Sequence, residues 1–263
     1  MNILDEIIAH KHQEVASRKA RTSMQTLENS SFFNRKTWSL REALLNPEKT
    51  GIIAEHKCKS PSKGIINQQV TVEQVTTGYV QGGASALSIL TDERYFDGSD
   101  AHLEAARNAN PDTPLLRKDF IIDEYQLVEA KSFGADVILL IAANLTPTQC
   151  KELAWAAKNL TLEVLLEVHN LNELERFTNE YVDIVGVNNR DLKQMKTDIN
   201  TSKELSERIP KDFLKISESG INQPEVLIDL RQNYGYHGFL IGEYFMQQPE
   251  PGKAFAEFAA MIK

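Results

Sequence analysis

Eight short apolar segments recur along the chain after residue 50, and each of them ends in polar residues. Successive segments begin about 20 to 35 residues apart, which is the length of one strand–helix unit. Within each segment the apolar residues run almost without interruption, which indicates strands buried on both faces and therefore a parallel sheet. The predicted strands are Gly51–Lys57, Ala86–Thr91, Pro114–Phe120, Asp136–Ala142, Leu162–Val168, Asp183–Asn188, Leu214–Ser219 and Gly238–Gly242.

Amphipathic stretches lie between these segments and predict helices. Glu124–Phe133 carries apolar residues among charged ones and is followed by Gly134, a residue typical of helix ends. Thr146 and Pro147 suit the N-cap and the first helical position of a helix over Pro147–Leu160. Three further stretches predict helices in the same way: Asn172–Phe177, Asn200–Arg208 and Pro224–Gln232.

The number and spacing of these units predict an α/β fold, a single (β/α)8 TIM barrel, rather than an open doubly wound sheet. An open sheet of that kind typically has a G-x-G-x-x-G turn after its first strand, and this sequence has none. We therefore expect residues 1–263 to form one barrel domain, with residues 1–50 as an N-terminal helical extension.

The extension itself predicts a helix, because Ile3, Ile7 and Val15 lie at helical spacing while Lys11 and Arg18 fall on polar positions. The pattern leaves open whether this helix packs on the barrel surface or covers the barrel mouth.

Composition and charge exclude several classes of protein. With 41% hydrophobic and 25% charged residues, the chain has an ordinary globular composition. A formal net charge of −8 argues against an extended nucleic-acid surface, but it leaves room for a small anionic ligand. The longest apolar run, Val137–Ala143, is too short for a membrane span. Two cysteines and the absence of metal-type Cys/His spacing predict a cytoplasmic protein without a metal site.

Polar side chains collect where the predicted strands end, which is where barrel enzymes build their active sites. The two-residue period of a strand places Glu55 and Lys57 on one face of the first strand and His56 and Cys58 on the other. Burying many charges together is costly unless they pair, and such a cluster suits acid–base chemistry on an anionic substrate. The side chains expected to point inward are Glu55, Lys57, Lys118, Glu167, Asn189 and Glu218.

Two glycine-containing turns, Ser219-Gly220 and Gly242-Glu243, follow the seventh and eighth predicted strands. Barrels frequently bind phosphate with backbone N–H groups of the loops after these strands, and glycine lets the backbone approach the ligand closely. Ser60, in the loop after the first strand, offers a further hydroxyl donor. The sequence therefore predicts a phosphate site at this side of the mouth.

In their order along the chain, the strand-end motifs resemble those of the indole-3-glycerol phosphate synthase family, the indole-forming barrel enzymes of tryptophan biosynthesis. The resemblance covers about residues 51–246, and the N-terminal extension also resembles that of the family, where it caps the mouth. The motifs that carry it are Ile53–Gly64, Ser88–Asp92, Phe96–Ser99, Leu116–Asp123, Leu166–His169, Gly186–Leu192, Ser217–Ile221 and Leu240–Glu243.

The resemblance implies a carboxy-lyase that needs no cofactor. Its substrate would be 1-(2-carboxyphenylamino)-1-deoxyribulose 5-phosphate. Ring closure, decarboxylation and dehydration would give indole-3-glycerol phosphate, CO2 and water. The partner implied is thus a small phosphorylated molecule, with no nucleic acid and no membrane, and we expect a monomer or a weak homodimer.

The resemblance also implies roles for individual residues. Lys118 would be the general acid at the ketone, Lys57 would hold the carboxylate, and Glu167 would be the general base. The residues that would position and polarise these groups are Glu55, Asn189 and Glu218. The substrate-binding and phosphate-binding residues would be Ser60, Phe120, Arg190, Ser219, Gly220, Gly242 and Glu243, with Phe120 beside the aromatic ring.

The sequence departs from the family pattern at two places. His56 and Cys58 stand where the family usually has other residues, and we expect them to pack in the core rather than to bind a metal. Tyr244 and Phe245 are bulky where the family often has small residues, which affects the expected detail of the phosphate pocket. The residues alone also leave open another phosphate-binding barrel enzyme, such as a phosphoribosylanthranilate isomerase or a Schiff-base aldolase, or a degenerate barrel that only binds a ligand.

Overall fold

A computed structural model describes residues 3–191 and 196–262, and in this part of the chain eight parallel strands form a closed barrel. Each strand pairs with its neighbours in sequence, and the first strand closes the barrel against the eighth. The predicted fold and all eight predicted strands are therefore confirmed. The barrel strands are β1 (Ile52–His56), β2 (Ala86–Leu90), β3 (Leu115–Lys118), β4 (Val137–Ile141), β5 (Glu163–Val168), β6 (Ile184–Asn188), β7 (Leu214–Glu218) and β8 (Gly238–Ile241).

Helices surround the barrel, and three of the described helices precede its first strand. The described helices are α1 (Ile3–Arg21), α2 (Met24–Glu28), α3 (Leu40–Leu45), α4 (Val72–Gln81), α5 (Glu93–Phe96), α6 (Asp100–Ala109), α7 (Glu124–Ser132), α8 (Pro147–Asn159), α9 (Leu171–Phe177), α10 (Asn200–Leu205), α11 (Pro224–Tyr234), α12 (Glu243–Met246) and α13 (Pro251–Met261). None of these helices is long and apolar enough to cross a membrane.

The end signals that predicted helix α8 act as expected. The Thr146 hydroxyl accepts a hydrogen bond from the backbone N–H of Gln149 at 3.2 Å, and the Gln149 side chain accepts one from the N–H of Thr146 at 3.0 Å. Pro147 occupies the first turn, where its missing N–H costs no hydrogen bond. The short antiparallel pairs in the loops after β1 and β6 join Lys59–Ser60 to Gly64–Ile65 and Arg190–Asp191 to Lys196–Thr197.

Alternation along the strands divides the core into two layers. In β1, Ile53 packs in the barrel interior, whereas Ile52 and Ala54 pack between the barrel wall and the helices. In β3, Leu116 points inward and Leu115 outward. The same alternation continues to the carboxyl ends of the strands, so it decides which polar side chains enter the barrel mouth.

Helix α1 answers the question that its sequence left open, because its two ends do different things. Ile3 and Ile7 line the cavity at the barrel mouth, whereas Val15 packs against Val128 of α7 on the outside. Lys11 lies between these regions and is fully buried, although the sequence pattern places it among polar positions. Two carboxylates from other parts of the chain, Asp92 and Asp119, each lie 2.9 Å from its ammonium group and offset the cost of burying this charge.

Candidate active site

A cavity of about 580 Å³ opens at the carboxyl ends of the barrel strands. Helix α1 covers one side of it, and the segments after β1, β2, β3, β6, β7 and β8 also line it. Five of the six polar side chains predicted to point inward do line this cavity, and Asn188 takes the place expected for Asn189. The polar residues that converge are Glu55, Lys57, Lys118, Glu167, Asn188 and Glu218.

The inward orientation predicted for Asn189 is wrong, and the strand period explains why. Ile184 packs inside the barrel, so Asn188 continues the inward face of β6 and donates a hydrogen bond to Glu167 Oε1 at 3.1 Å. The Asn189 amide points to the other side, where it donates to the Ser217 hydroxyl at 3.0 Å and accepts from the Ser202 hydroxyl at 2.8 Å. Asn189 thus braces the backbone behind the site.

Two lysine side chains in the cavity each lie beside buried carboxylates. The Lys57 ammonium lies 3.0 Å from Glu55 Oε1, and both side chains come from the same face at the end of β1. The Lys118 ammonium lies 3.5 Å from Glu167 Oε2 and 4.0 Å from Glu218 Oε2. Pairing offsets the cost of removing these charges from water, and it holds amino groups and carboxylates within reach of one ligand.

The electrostatics favour the charged forms of Lys118 and Glu167. Burial opposes the charge on Lys118, but the carboxylates of Glu167, Glu218 and Glu55 outweigh it and raise the pKa of Lys118. Burial likewise opposes ionisation of Glu167, but Lys118 and His169 lower the pKa of this carboxyl well below its ordinary value. At neutral pH the cavity therefore holds a proton donor directly beside a proton acceptor.

Glu218 is in a different electrostatic position. Burial and the like charge of Glu167 raise the pKa of Glu218, which favours its neutral acid form. Its carboxyl group lies directly over Gly186, where a Cβ atom would overlap it. The absence of a side chain at residue 186 therefore makes the space that Glu218 occupies, a role that sequence reasoning did not assign to this glycine.

His169 ends one of the motifs that resemble the family, although the resemblance implies no role for it. The structure places its ring next to Glu167. Its Nε2 lies 3.3 Å from Glu167 Oε1, and its Nδ1 lies 3.0 Å from Glu173 Oε2. Burial opposes protonation of the ring, but hydrogen bonds to the two carboxylates raise the pKa of His169 to about 10. The protonated ring of His169 thus pairs with the Glu167 carboxylate and fixes its position. The sequence could have indicated this contact, because His169 follows Glu167 by two residues and residues at this spacing share one face of a strand.

The turn after β7 has a left-handed backbone at two consecutive residues. Ser219 and Gly220 both have positive φ angles, of 68° and 80°. A Cβ on Gly220 would lie 2.7 Å from Thr197 Cγ2, so glycine is required here for space as well as for its conformation. Ser60, Ser219 and Gly220 all line the cavity, as predicted.

The turn after β8 also lines the cavity with Gly242 and Glu243. A Cβ on Gly242 would lie 2.7 Å from the Glu55 side chain, which packs against the bare backbone. The Glu243 carboxylate faces two cations, with Arg190 Nη2 at 3.4 Å and Lys63 Nζ at 3.9 Å. Arg190 therefore lines the mouth as predicted, in a pair with Glu243 that leaves a surplus of positive charge at this side.

An apolar wall faces these polar groups. Phe120 lines the cavity as predicted, and its ring centroid lies 6.1 Å from that of Phe96, which lines the same wall. Of the two bulky residues after β8, Tyr244 reaches the cavity, whereas Phe245 is fully buried among the aromatic side chains of the outer layer. The departure at Phe245 therefore does not narrow the mouth.

His56 and Cys58 point away from Glu55 and Lys57, as the strand period predicted. They lie outside the barrel wall, where the His56 ring packs edge-to-face on His102 with the centroids 5.4 Å apart. Burial lowers the pKa of His56 to about 4 and raises that of Cys58 to about 11, so both are neutral at pH 7.

Comparisons with known proteins identify the family of the chain. A family model for indole-3-glycerol phosphate synthase matches residues 4–258. An indole-3-glycerol phosphate synthase of Bacteroides thetaiotaomicron is 47% identical over 264 residues, which cover 100% of this chain and 99% of the relative. One of Salinibacter ruber is 41% identical over 261 residues, which cover 99% of this chain and 96% of the relative.

Solved structures with low sequence identity share the fold. A 3-hexulose-6-phosphate synthase from Salmonella typhimurium superposes with a TM-score of 0.63 at 10% identity, covering 81% of this chain and 98% of that one. A tryptophan synthase subunit alpha from Legionella pneumophila has a TM-score of 0.60 at 13% identity, covering 85% of this chain and 96% of that one. The full-length sequence matches are far closer, and they show that the chain belongs to the indole-3-glycerol phosphate synthase family, whose members are carboxy-lyases of tryptophan biosynthesis.

Proposed function

We propose that this cavity converts 1-(2-carboxyphenylamino)-1-deoxyribulose 5-phosphate to indole-3-glycerol phosphate, CO2 and water. Membership of the family supports the reaction. The observation that carries the assignment of residues is the contact between the Lys118 ammonium and the Glu167 carboxylate inside one cavity. Acid–base chemistry needs a donor and an acceptor that one substrate can reach together.

The lining of the cavity suggests one orientation of the substrate. The phosphate would lie against the Ser219-Gly220 turn and Gly242, where backbone N–H groups would donate to it and Ser60 would add a hydroxyl. The aromatic ring would lie against Phe120 on the apolar wall. This orientation brings the ring carboxylate towards Lys57 and the ketone towards Lys118.

Ring closure is the first chemical step that we propose. The ring carbon that bears the carboxylate supplies an electron pair to the ketone carbon, and a carbon–carbon bond forms. The electrons of the carbonyl double bond move to its oxygen, to which Lys118 donates a proton. A fixed ammonium group beside this oxygen stabilises the negative charge that develops there.

Decarboxylation and dehydration follow. The bond from the ring carbon to its carboxylate breaks, and the electron pair restores the aromatic ring as CO2 leaves. The new hydroxyl group then leaves as water with a proton from Lys57, while Glu167 takes a proton from the neighbouring carbon and completes the indole double bond. Two protons are donated and one is recovered, so one proton enters from solvent in each turnover.

The remaining polar residues would position these groups. Asn188 donates to Glu167 Oε1 and fixes the direction of the base. Glu55 holds Lys57, and Glu218 lies within 4.0 Å of the Lys118 ammonium. Glu167 Oε2, which faces the Lys118 ammonium at 3.5 Å, is buried without a hydrogen-bond partner among the described residues, so it keeps an acceptor position for a proton of the substrate.

A turnover assay tests this function. Purified protein, treated with a chelator, is mixed with the carboxyphenylamino substrate, and the fluorescence of the indole product is followed. We expect product without any added metal or cofactor. Failure to form indole-3-glycerol phosphate from pure substrate would overturn the proposal.

For the assembly and the location we propose a monomer or weak homodimer in the cytoplasm. Large exposed apolar side chains lie on separate elements, such as Trp155 on α8 and Ile65 after β1, which does not favour a large permanent interface. Both cysteines are free, as expected in a reducing compartment. Sedimentation at micromolar protein concentration and cell fractionation test these two statements.

A further inference from the structure

Contrary to the expectation from the sequence that His56 and Cys58 only pack in the core, we propose that the outer side of the barrel wall carries a Zn²⁺ site formed by His56, Cys58 and His102. His56 is the last residue of β1, Cys58 follows in the next loop, and His102 lies in the first turn of α6. One potential ligand atom from each residue lies within 4.8 Å of the other two. The fold thus brings together three donors from two separate parts of the chain.

The distances between the donors suit a tetrahedral metal ion after a small adjustment. Cys58 Sγ lies 3.9 Å from His56 Nε2, and the two imidazole rings meet at an interplanar angle of 82°. With metal–nitrogen and metal–sulfur bonds of about 2.0 and 2.3 Å, tetrahedral ligands lie roughly 3.5 Å apart. The side chains therefore need to approach one another by only about 1 Å.

The surroundings leave these donors available and favour a cation. His102 Nδ1 is buried and has no hydrogen-bond partner within residues 3–191 and 196–262. Glu73 interacts electrostatically with both histidines, and Asp97 does so with Cys58, so two acidic groups lie on the side of the cluster. A buried polar atom without a partner, such as His102 Nδ1, is costly, and a bound metal ion would remove that cost.

The donor set determines the kind of metal. One sulfur and two imidazole nitrogens suit Zn²⁺ and other thiophilic ions, whereas Mg²⁺ and Ca²⁺ require oxygen ligands. Three protein ligands leave the fourth tetrahedral position to a water molecule. The site is separate from the cavity, because His56 and Cys58 project from the opposite face of the strand to Glu55 and Lys57. A bound metal ion would fix the backbone on both sides of Lys57, because His56 and Cys58 flank this residue. It would also link this segment to α6 through His102.

Cobalt titration tests this site, because Co²⁺ replaces Zn²⁺ and gives a sulfur-to-metal absorption band when a thiolate is bound. We expect the metal-free protein to take up one equivalent of Co²⁺ with this band, and Zn²⁺ to abolish the band. Zn²⁺ at 100-fold excess over its Kd should also raise Tm by about 5 °C.

Variants assign the ligands. Cys58→Ser and His102→Gln should each lose the cobalt band and the Zn²⁺-dependent rise in Tm. Cys150→Ser, which changes the other free thiol of the chain, should retain both. Circular dichroism of the metal-free variants verifies that they fold. His102→Gln should disturb folding least, because His102 is only partly buried. A wild-type protein without the cobalt band, or a band that survives Cys58→Ser, would overturn the proposal.

Discussion

The Lys118 ammonium lies 3.5 Å from Glu167 Oε2, across the strand β4 that separates their two strands. Each group keeps the other charged in a place where either charge alone would be strongly disfavoured. The pairing therefore supplies the two protonation states that the proposed reaction needs, before any substrate group is considered.

The first prediction concerns this pair. Lys118→Met removes the acid and Glu167→Gln removes the base, and each should lower kcat by roughly 10²-fold or more. Because the two groups act as a unit, the double variant should be little worse than the poorer single variant. Steady-state formation of indole-3-glycerol phosphate measures all three. Lys211→Met, which changes an exposed lysine, is the control and should keep the wild-type rate. Wild-type rates in both site variants would refute the assigned roles.

The second prediction separates the adjacent residues Asn188 and Asn189. Asn188→Ala should lower kcat by about tenfold or more with little change in stability, because its amide positions Glu167. Asn189→Ala should instead lower the free energy of unfolding by about 2 kcal/mol or more, because it leaves buried partners such as Ser217 and Ser202 unsatisfied. Urea unfolding and turnover of both variants check this, and the reverse pattern would contradict the geometry.

The third prediction concerns the space under Glu218. Gly186→Ala places a methyl group against the Glu218 carboxyl and should destabilise the protein by about 1–3 kcal/mol through overpacking. In the Gly186→Ala/Glu218→Ala double variant this clash disappears, so the two free-energy changes should not add. A double-mutant cycle on the free energy of unfolding measures the coupling. Additivity within about 0.5 kcal/mol would mean that the two residues are independent.

The fourth prediction compares two lysines of helix α1. Lys11 is fully buried and lies 2.9 Å from both Asp92 and Asp119, whereas Lys19 is largely exposed and pairs with Asp123 at 2.7 Å. Lys11→Met should lower the free energy of unfolding by about 3–5 kcal/mol, because it leaves buried carboxylates unpaired. Lys19→Met, the matched control, should cost about 1 kcal/mol or less. Equal losses in the two variants would contradict the burial of Lys11.

The fifth prediction concerns pH. Hydrogen bonds to Glu167 and Glu173 outweigh the effect of burial and raise the pKa of His169 to about 10 in the folded protein, above its ordinary value near 6.5. Protonated His169 therefore contributes its full stability below about pH 6.5, and this contribution is lost as the pH rises towards 10. The difference in unfolding free energy between wild type and His169→Gln should follow this course, measured by urea unfolding at several pH values. A difference that stays constant from pH 6 to pH 10 would contradict it.

Much of the fold and site follows from the sequence, because a barrel repeats one pattern and places its chemistry at one end of each repeat. The shared face of Glu55 and Lys57 could be predicted, because residues two positions apart on a strand point to the same side. Asn189 was misassigned because two asparagines end β6 and their faces depend on counting back to Ile184. The burial of Lys11 could not be predicted from helix α1 alone, because Asp92 and Asp119 belong to other parts of the chain. The proximity of His102 to His56 and Cys58 could not be predicted either, because these residues also come from separate parts of the chain.

The most direct test of the proposed mechanism is a crystal structure of the Glu167→Gln variant with the carboxyphenylamino substrate bound. The account predicts the ketone oxygen within about 3 Å of the Lys118 ammonium, the ring carboxylate beside Lys57, and the phosphate at the Ser219-Gly220 and Gly242 turns. A substrate bound in the reverse direction, with its phosphate beside Lys118, or bound outside the barrel mouth, would contradict it.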